Sequence, residues 1–435
     1  MKTHLLAAFL FGTSTVVVPL FHELDSPPEG NGTIDSIAIW VAPNPAESVL
    51  FTTDKSDHTI LMHNPNTKEF IRRLGSGGAG AGQLGYPNGV AVGYGVSLNG
   101  ARIDVLFIVE RDNHRVSIFS LPEQKFLGHF GAEDLTEPYG VALHWQGDQL
   151  QAWITETDSS PDQVYVYDIL PQGESLVGKR AFFFDVAGGL ESIAIDPVNN
   201  RVLLCDESAA RNVMVYDLAG NFVQRFGEGL FTIDPEGIAL YDLGNGAGYL
   251  IITDQNASPT EFEVFDRKTL QWLGNFTGET RGTDGVALTQ AALPSLPHGS
   301  FYAVHSDKTV HVYDWAAIAG VMNLSTAIKS PRTAVAERKA ANPLQFNLLT
   351  NHPNPFNPST TISYRVDHYA PVHLDLYDSL GKQIARLVSK VQPAGEYQVR
   401  WDGRTHSGEA AASGVYFARL TVGNAVYTHT LLLQK

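Results

Sequence analysis

Cysteine is almost absent: Cys205 is the only one in 435 residues. One thiol excludes an intrachain disulfide framework and a cysteine-rich zinc cage. Cys205 ends the apolar run Val202-Leu203-Leu204-Cys205, so it reads as a core thiol and not a nucleophile. Basic charge is also scarce, with 30 Lys and Arg against 46 Asp and Glu and a formal net charge of −16. That balance argues against a nucleic-acid partner, because a phosphate backbone must be neutralised by clustered cations. It suits divalent cations, and it equally suits plain solubility. Long hydrophobic runs are missing, and none approaches the roughly 18 residues of a spanning helix. The apolar stretch 5–11 behind Met1-Lys2 is short enough to read as a secretory signal, assigned to 1–20 without a clear cleavage site. A Gly-x-Ser-x-Gly elbow, a His-Glu-x-x-His pair and a P-loop are all absent, and the Gly-rich run 77–82 lacks a Gly-Lys-Ser/Thr ending.

What the chain has is a repeat. A turn, a small or acidic residue and an alternating apolar strand recur from positions 35, 88, 139, 191, 236 and 284, at spacings of 45 to 53 residues. Examples are Asn88-Gly89-Val90-Ala91-Val92, Glu191-Ser192-Ile193-Ala194-Ile195 and Asp284-Gly285-Val286-Ala287-Leu288. A second apolar strand follows each copy (49–53, 105–109, 152–155, 202–205, 249–253, 301–304), then a third; five units add a fourth. Four short strands per unit at this period signify a propeller blade. The fold class is therefore all-β: a six-bladed β-propeller over 25–318. The sixth unit lacks a fourth strand after Tyr313, so an N-terminal strand at 15–20 or 22–24 is expected to complete it. Residues 315–322 read as one short helix or an irregular exit.

The innermost strand of each blade lines the central channel. The residues opening the six phrases should then gather at one channel mouth: Asp35, Asn88, Tyr139, Glu191, Glu236 and Asp284. The ends of the second strands add Asp54-Lys55, Glu110-Arg111, Glu156, Asp206-Glu207 and Asp254-Gln255. Each acid alone also reads as a turn former. Their shared phase is what points to a cation, since converging carboxylates repel unless neutralised and Ca²⁺ takes 6–8 oxygen ligands.

These residues carry a resemblance. The run 87–100, the segment Asp234-Pro235-Glu236-Gly237-Ile238-Ala239-Leu240-Tyr241, Thr283-Asp284-Gly285-Val286-Ala287 and Val310-His311-Val312-Tyr313-Asp314-Trp315 are similar to the bacterial β-propeller phytases, in order over 33–318. The resemblance implies a calcium-dependent phosphoric monoester hydrolase of the 3-phytase type, releasing phosphate from inositol phosphates. It implies Asp35, Glu191, Asp206, Glu207, Glu236 and Asp284 as calcium ligands, with Glu191, Asp206, Glu207 and Glu236 as the catalytic carboxylates. Lys55, Arg111, Tyr139 and Gln255 would bind phosphate. The chain departs from the family twice: Asp35-Ser36-Ile37 replaces two adjacent acids followed by proline, and Thr155-Glu156-Thr157-Asp158-Ser159-Ser160 has no lysine. The missing lysine favours the runner-up, a non-catalytic binding propeller at the cell surface; a calcium-dependent propeller hydrolase of the lactonase type is a third reading. The segments 77–87 and 111–116 also resemble NHL-type repeats, which makes His114 a turn residue and not a catalytic histidine.

Residues 319–344 read as a linker and 345–435 as a small antiparallel β-sandwich, Ig-like, with strands at 361–366, 372–377, 396–401, 414–422 and 427–433. Asn354-Pro355-Phe356-Asn357-Pro358, Tyr377-Asp378-Ser379-Leu380-Gly381, Trp401-Asp402-Gly403 and Ala412-Ser413-Gly414-Val415-Tyr416 resemble type IX secretion sorting domains and the Ig-like module of flagellar hook-capping proteins. That resemblance implies bacterial export to the medium or cell surface, with the secretion machinery as a partner. The expected remainder is a monomer whose ligand is a small phosphate ester. The glycosylation patterns at Asn31, Asn256, Asn275 and Asn323 are incidental in such a chain.

Overall fold

A computed structural model describes residues 15–30, 32–255, 259–329, 349–366, 370–378, 381–392, 395–422 and 425–435. Positions 1–14 of the expected signal, the asparagines Asn31 and Asn256, and 330–344 of the expected linker lie outside these residues. The chain divides into two compact units, 1–337 and 338–435.

The first unit is the six-bladed propeller. The first blade is an antiparallel sheet in simple sequence order: Ile34–Trp40, Val49–Asp54, Thr59–His63, Phe70–Leu74. The next four blades repeat it, with inner strands Pro87–Leu98, Pro138–Gln146, Leu190–Asp196 and Pro235–Gly244. The second and third strands of a blade are covered on both faces; all 11 residues of Val49–Asp54 and Thr59–His63 are buried. The sixth blade runs Val286–Thr289, Ser300–His305, Thr309–Asp314, and His22–Glu23 supplies its fourth strand, pairing with Val312 and His311. The N-terminal segment thus closes the sixth blade through the second of the two expected stretches. The first goes elsewhere: Val16–Val17 adds a parallel fifth strand to the fifth blade, and Val18 is buried among Tyr241, Phe262 and Phe276.

Neighbouring inner strands touch through residues without bulk. A Cβ at Gly89 would meet the Tyr139 carbonyl oxygen at 2.6 Å, one at Gly140 the Glu191 carbonyl at 3.0 Å, and one at Gly237 the Asp284 carbonyl at 2.9 Å. A Cβ at Gly285 would lie 2.2 Å from the Asp35 carbonyl, which sets the sixth blade against the first. Cys205, fully buried, donates its thiol to the Glu236 carbonyl oxygen at 2.7 Å and so joins the fourth blade to the fifth as a core residue.

Trp315–Met322 is a helix, capped by the Asp314 carboxylate on the Ala316 amide. The linker was expected from 319, but 319–329 stay with the propeller. Leu324 and Ala327 pack on the core around Trp315, the Ala327 amide donates to the Tyr241 hydroxyl at 2.6 Å, and Lys329 bridges to Ala291. Among the described residues no helix is long and apolar enough to cross a membrane.

The second unit is a two-sheet sandwich. Leu349–His352, Thr360–Val366 and Gly395–Trp401 form one sheet; Gln383–Gln392, Ala370–Asp378, Gly414–Val422 and Ala425–Leu433 form the other. Trp401 and Tyr416 are in its core with Phe356, Ile362 and Leu374.

Candidate active site

Two backbone devices build the mouth of the channel. The pairing of inner and second strands slips at each of the first five phrases, between Ile34 and Ile37, Pro87 and Val90, Pro138 and Val141, Leu190 and Ile193, and Pro235 and Ile238. Such irregularities re-aim a side chain that strict alternation would send into the sheet. The residue one past each second strand is then pinned beside the phrase. Lys55, Arg111, Thr157, Glu207, Gln255 and Ser306 donate their amides to the carbonyls of Thr33, Tyr86, Glu137, Gly189, Asp234 and Arg281.

The residue before it has a different duty. Asp54 accepts the Gly32 amide, Glu110 that of Gly85, Glu156 those of Thr136 and Glu137, and Asp254 those of Thr232 and Ile233. Asp206 belongs to this set: it is buried, and its Oδ1 accepts the amides of Gly189 at 3.1 Å and Ser208 at 3.0 Å. Expected as a metal ligand and catalytic carboxylate, Asp206 uses this oxygen to hold the loop before the fourth inner strand. In the sixth blade His305 takes the same position, accepting the Arg281 amide on Nδ1 at 3.1 Å. His114, with φ of 53°, contacts the Thr136 carbonyl of the next blade through Nδ1, a structural link as expected.

The other expected residues converge. Lys55 pairs with Asp35 Oδ2 and donates to the Tyr139 hydroxyl at 3.1 Å, and that hydroxyl donates to Asp35 Oδ2 at 3.2 Å. Glu191 acts electrostatically on both Tyr139 and Lys55. Gln255 Nε2 donates to Asp284 Oδ1 at 2.6 Å, and the Asp284 carboxylate acts electrostatically on Glu236. Lys55, Asp35, Tyr139, Glu191, Glu236, Gln255 and Asp284 thus form a patch drawn from all blades but the second. Arg111 does not join it: its guanidinium stacks 4.0 Å above the Tyr86 ring and lies 3.5 Å from Asp112. The second blade contributes Asn88 to the buried set, with both side-chain amide atoms unpartnered.

The electrostatics follow from packing acids together away from water. Burial, then Glu207 and Asp35, lift Glu191 well above the carboxylate range, with Tyr139 and Lys55 opposing. Burial, then Asp234, Asp284 and Asp35, push Glu207 up to about 7. Burial, then Asp284, Glu191 and Glu207, push Glu236 up to about 12. Burial, then Asp35 and Asp307, push Asp284 up to about 6. Burial works against the Lys55 charge, but Asp35, Asp284 and Glu191 together raise its pKa. Burial and the neighbouring carboxylates raise the Tyr139 hydroxyl, so it stays a donor.

Two acids of this field were missed. Asp234, immediately before the fifth phrase, acts on Glu207 and pairs with Arg211 Nε at 3.3 Å. Asp307, two residues past the sixth second strand, acts on Asp284 and is itself raised by burial and Asp35. Their signal was position, Asp234 just before a phrase and Asp307 just past a second strand.

Among the described residues no three acidic, histidine or cysteine side chains close on one point as a finished metal cage. The donors nevertheless fit a hard cation. They are carboxylate oxygens, Glu236 Oε2 is buried without a partner, and so is Asn88 Oδ1.

The chain was compared with known proteins. The Phytase family matches residues 13–306, and the FlgD Ig-like domain matches 356–425. The 3-phytase of Bacillus subtilis (strain 168) is 24% identical over 307 residues, 65% of this chain and 76% of the relative. Among solved structures, hydrazine synthase of Kuenenia stuttgartiensis aligns with a TM-score of 0.44 at 15% identity, covering 69% of this chain and 82% of that one. PorZ, a surface component of the type-IX secretion system of Porphyromonas gingivalis, aligns with a TM-score of 0.35 at 12% identity, covering 92% and 51%. Likeness at that level bears on neither activity nor partner. The match over 13–306 is decisive: this chain belongs to the Phytase family, a phytase-like hydrolase with a FlgD Ig-like domain at its C-terminal end.

Proposed function

We propose that the protein is a calcium-dependent phosphoric monoester hydrolase that releases phosphate from inositol phosphates. The observation carrying this reading is the convergence of Asp35, Glu191, Glu207, Glu236 and Asp284, from four blades, into a field that raises the pKa values of four of them. Asp35, Glu191, Glu236 and Asp284 would hold the cation, with Glu207 beside them. Bound calcium would supply a low-pKa water and offset phosphate charge. The chain's own residues do the rest. The Lys55 ammonium meets a phosphate oxygen, and the protonated Tyr139 hydroxyl orients that lysine. Gln255 fixes the Asp284 carboxylate. Glu207, with a pKa near 7, is poised to hold or give up a proton at its carboxylate near neutrality.

The specific activity is tested by phosphate release from phytate, with calcium and with chelator. Release that needs calcium supports the reading; none in either condition overturns it. A second reading, a binding propeller without turnover, is favoured by the absence of a lysine from 155–160 and by Arg111 lying on Tyr86. It predicts calcium and phosphate binding without release. We further propose export, with the C-terminal unit engaging the secretion machinery; its motif set and its family match support this.

A further inference from the structure

One oxygen at the mouth carries two donors. Asp35 Oδ2 is paired with the Lys55 ammonium and also accepts the Tyr139 hydroxyl at 3.2 Å. The ammonium in turn donates to that hydroxyl at 3.1 Å and lies 5.1 Å from the centre of the tyrosine ring. The arrangement is largely out of water, with side-chain exposures of 12% for Lys55 and 3% for Asp35. The Lys55 backbone is fixed, its amide donating to the Thr33 carbonyl at 2.8 Å. Only the side chain is left to move.

A carboxylate in contact with an ammonium is a weaker ligand for a divalent cation, because the two cations repel. Lysine is suited to giving way. Its charge is a compact point on a flexible four-carbon stem, and its three donors find new acceptors without a fixed geometry. We propose that Lys55 is a tethered stand-in cation: it occupies Asp35 when the divalent cation is absent, is displaced when that cation binds, and is then free to meet phosphate. Cation uptake and phosphate binding are thereby coupled, and the coupling is reciprocal. This inference rests on the calcium reading above.

The test uses the full chain, calcium chloride and inorganic phosphate as probes, and calorimetric titration. Lys55→Met should bind calcium roughly tenfold more tightly than wild type, because the competing charge is gone. Lys55→Arg keeps the charge and should stay near wild type. Calcium should strengthen phosphate binding more in wild type than in Lys55→Met, where only its direct attraction for phosphate remains. Melting curves give a second readout. Lys55→Met should melt below wild type in chelator, where Asp35 has lost its partner, and at or above wild type in saturating calcium. Calcium affinity unchanged or weakened by Lys55→Met, or a lower melting temperature in both conditions, overturns the proposal. Calcium-dependent phosphate release by wild type together with that result sinks this inference alone. Absence of calcium binding in wild type sinks the calcium reading and this inference with it.

Discussion

Asp206 and Glu207 are adjacent, and the period of two along a strand sends neighbours to opposite sides. Only one of them can face the channel mouth. The phase of the repeat locates the pair but not the member, because the choice depends on which side the preceding loop occupies. Here the loop amides of Gly189 and Ser208 claim Asp206. Asp206→Ala should therefore destabilise the fold by about 2 kcal/mol, leaving two amides without an acceptor. The loss should be equal with calcium and with chelator, measured by denaturant unfolding. Glu207→Gln should behave in the opposite way, keeping its stability in chelator while weakening calcium binding. An Asp206→Ala variant that lost calcium binding at unchanged stability would make Asp206 a calcium ligand instead. Arg111 shows a second limit. Its place in the repeat was legible, but the ring of Tyr86 that draws it aside belongs to a loop contact with no periodic signal.

At the scale of the element, the blades were readable because strand alternation and a spacing of 45 to 53 residues reinforce each other over six copies. The two-residue strands Val16–Val17 and His22–Glu23 are too short to carry alternation, so their partners could only be narrowed by the need to close the sixth blade. Val18 is 1% exposed, and Val18→Ala should cost about 2 kcal/mol from lost burial and the cavity left behind. A neutral result in a chemical denaturation series would mean that this segment does not belong to the folded core. The same packing implies that any leader is cut before Val16, which N-terminal sequencing of exported protein checks. Ring closure makes a sharper demand. A methyl at Gly285 would sit 2.2 Å from the Asp35 carbonyl, a backbone atom that cannot rotate away. Gly285→Ala should push the sixth blade from the first, separate Asp284 from Asp35, and weaken calcium binding at least tenfold by calorimetry; retained affinity would refute the closure argument.

For the whole molecule, a net charge of −16 leaves little counter-charge to spare for the channel mouth, where Lys55 is the one cation inside the acidic patch among the described residues. Composition made the excess of acid legible, but the field at the mouth depends on burial, which only the closed ring creates. Its consequence is a pH dependence of stability. An acid whose pKa rises on folding binds more protons folded than unfolded, so its contribution is present below the ordinary value and lost as pH climbs through the raised one. Glu207 moves from 4.5 to about 7 and Asp284 from 3.8 to about 6. In chelator the melting temperature should therefore fall between about pH 4 and pH 7 through these groups, and Glu207→Gln should fall less. Calcium reverses the sign of the argument, because it binds the deprotonated carboxylates and must displace protons wherever they are held. The rise in melting temperature produced by a fixed calcium concentration should be larger at pH 8 than at pH 5. An equal rise at both values would mean that calcium binds away from Glu207 and Asp284, and the mouth of the channel would lose its claim to be the metal site.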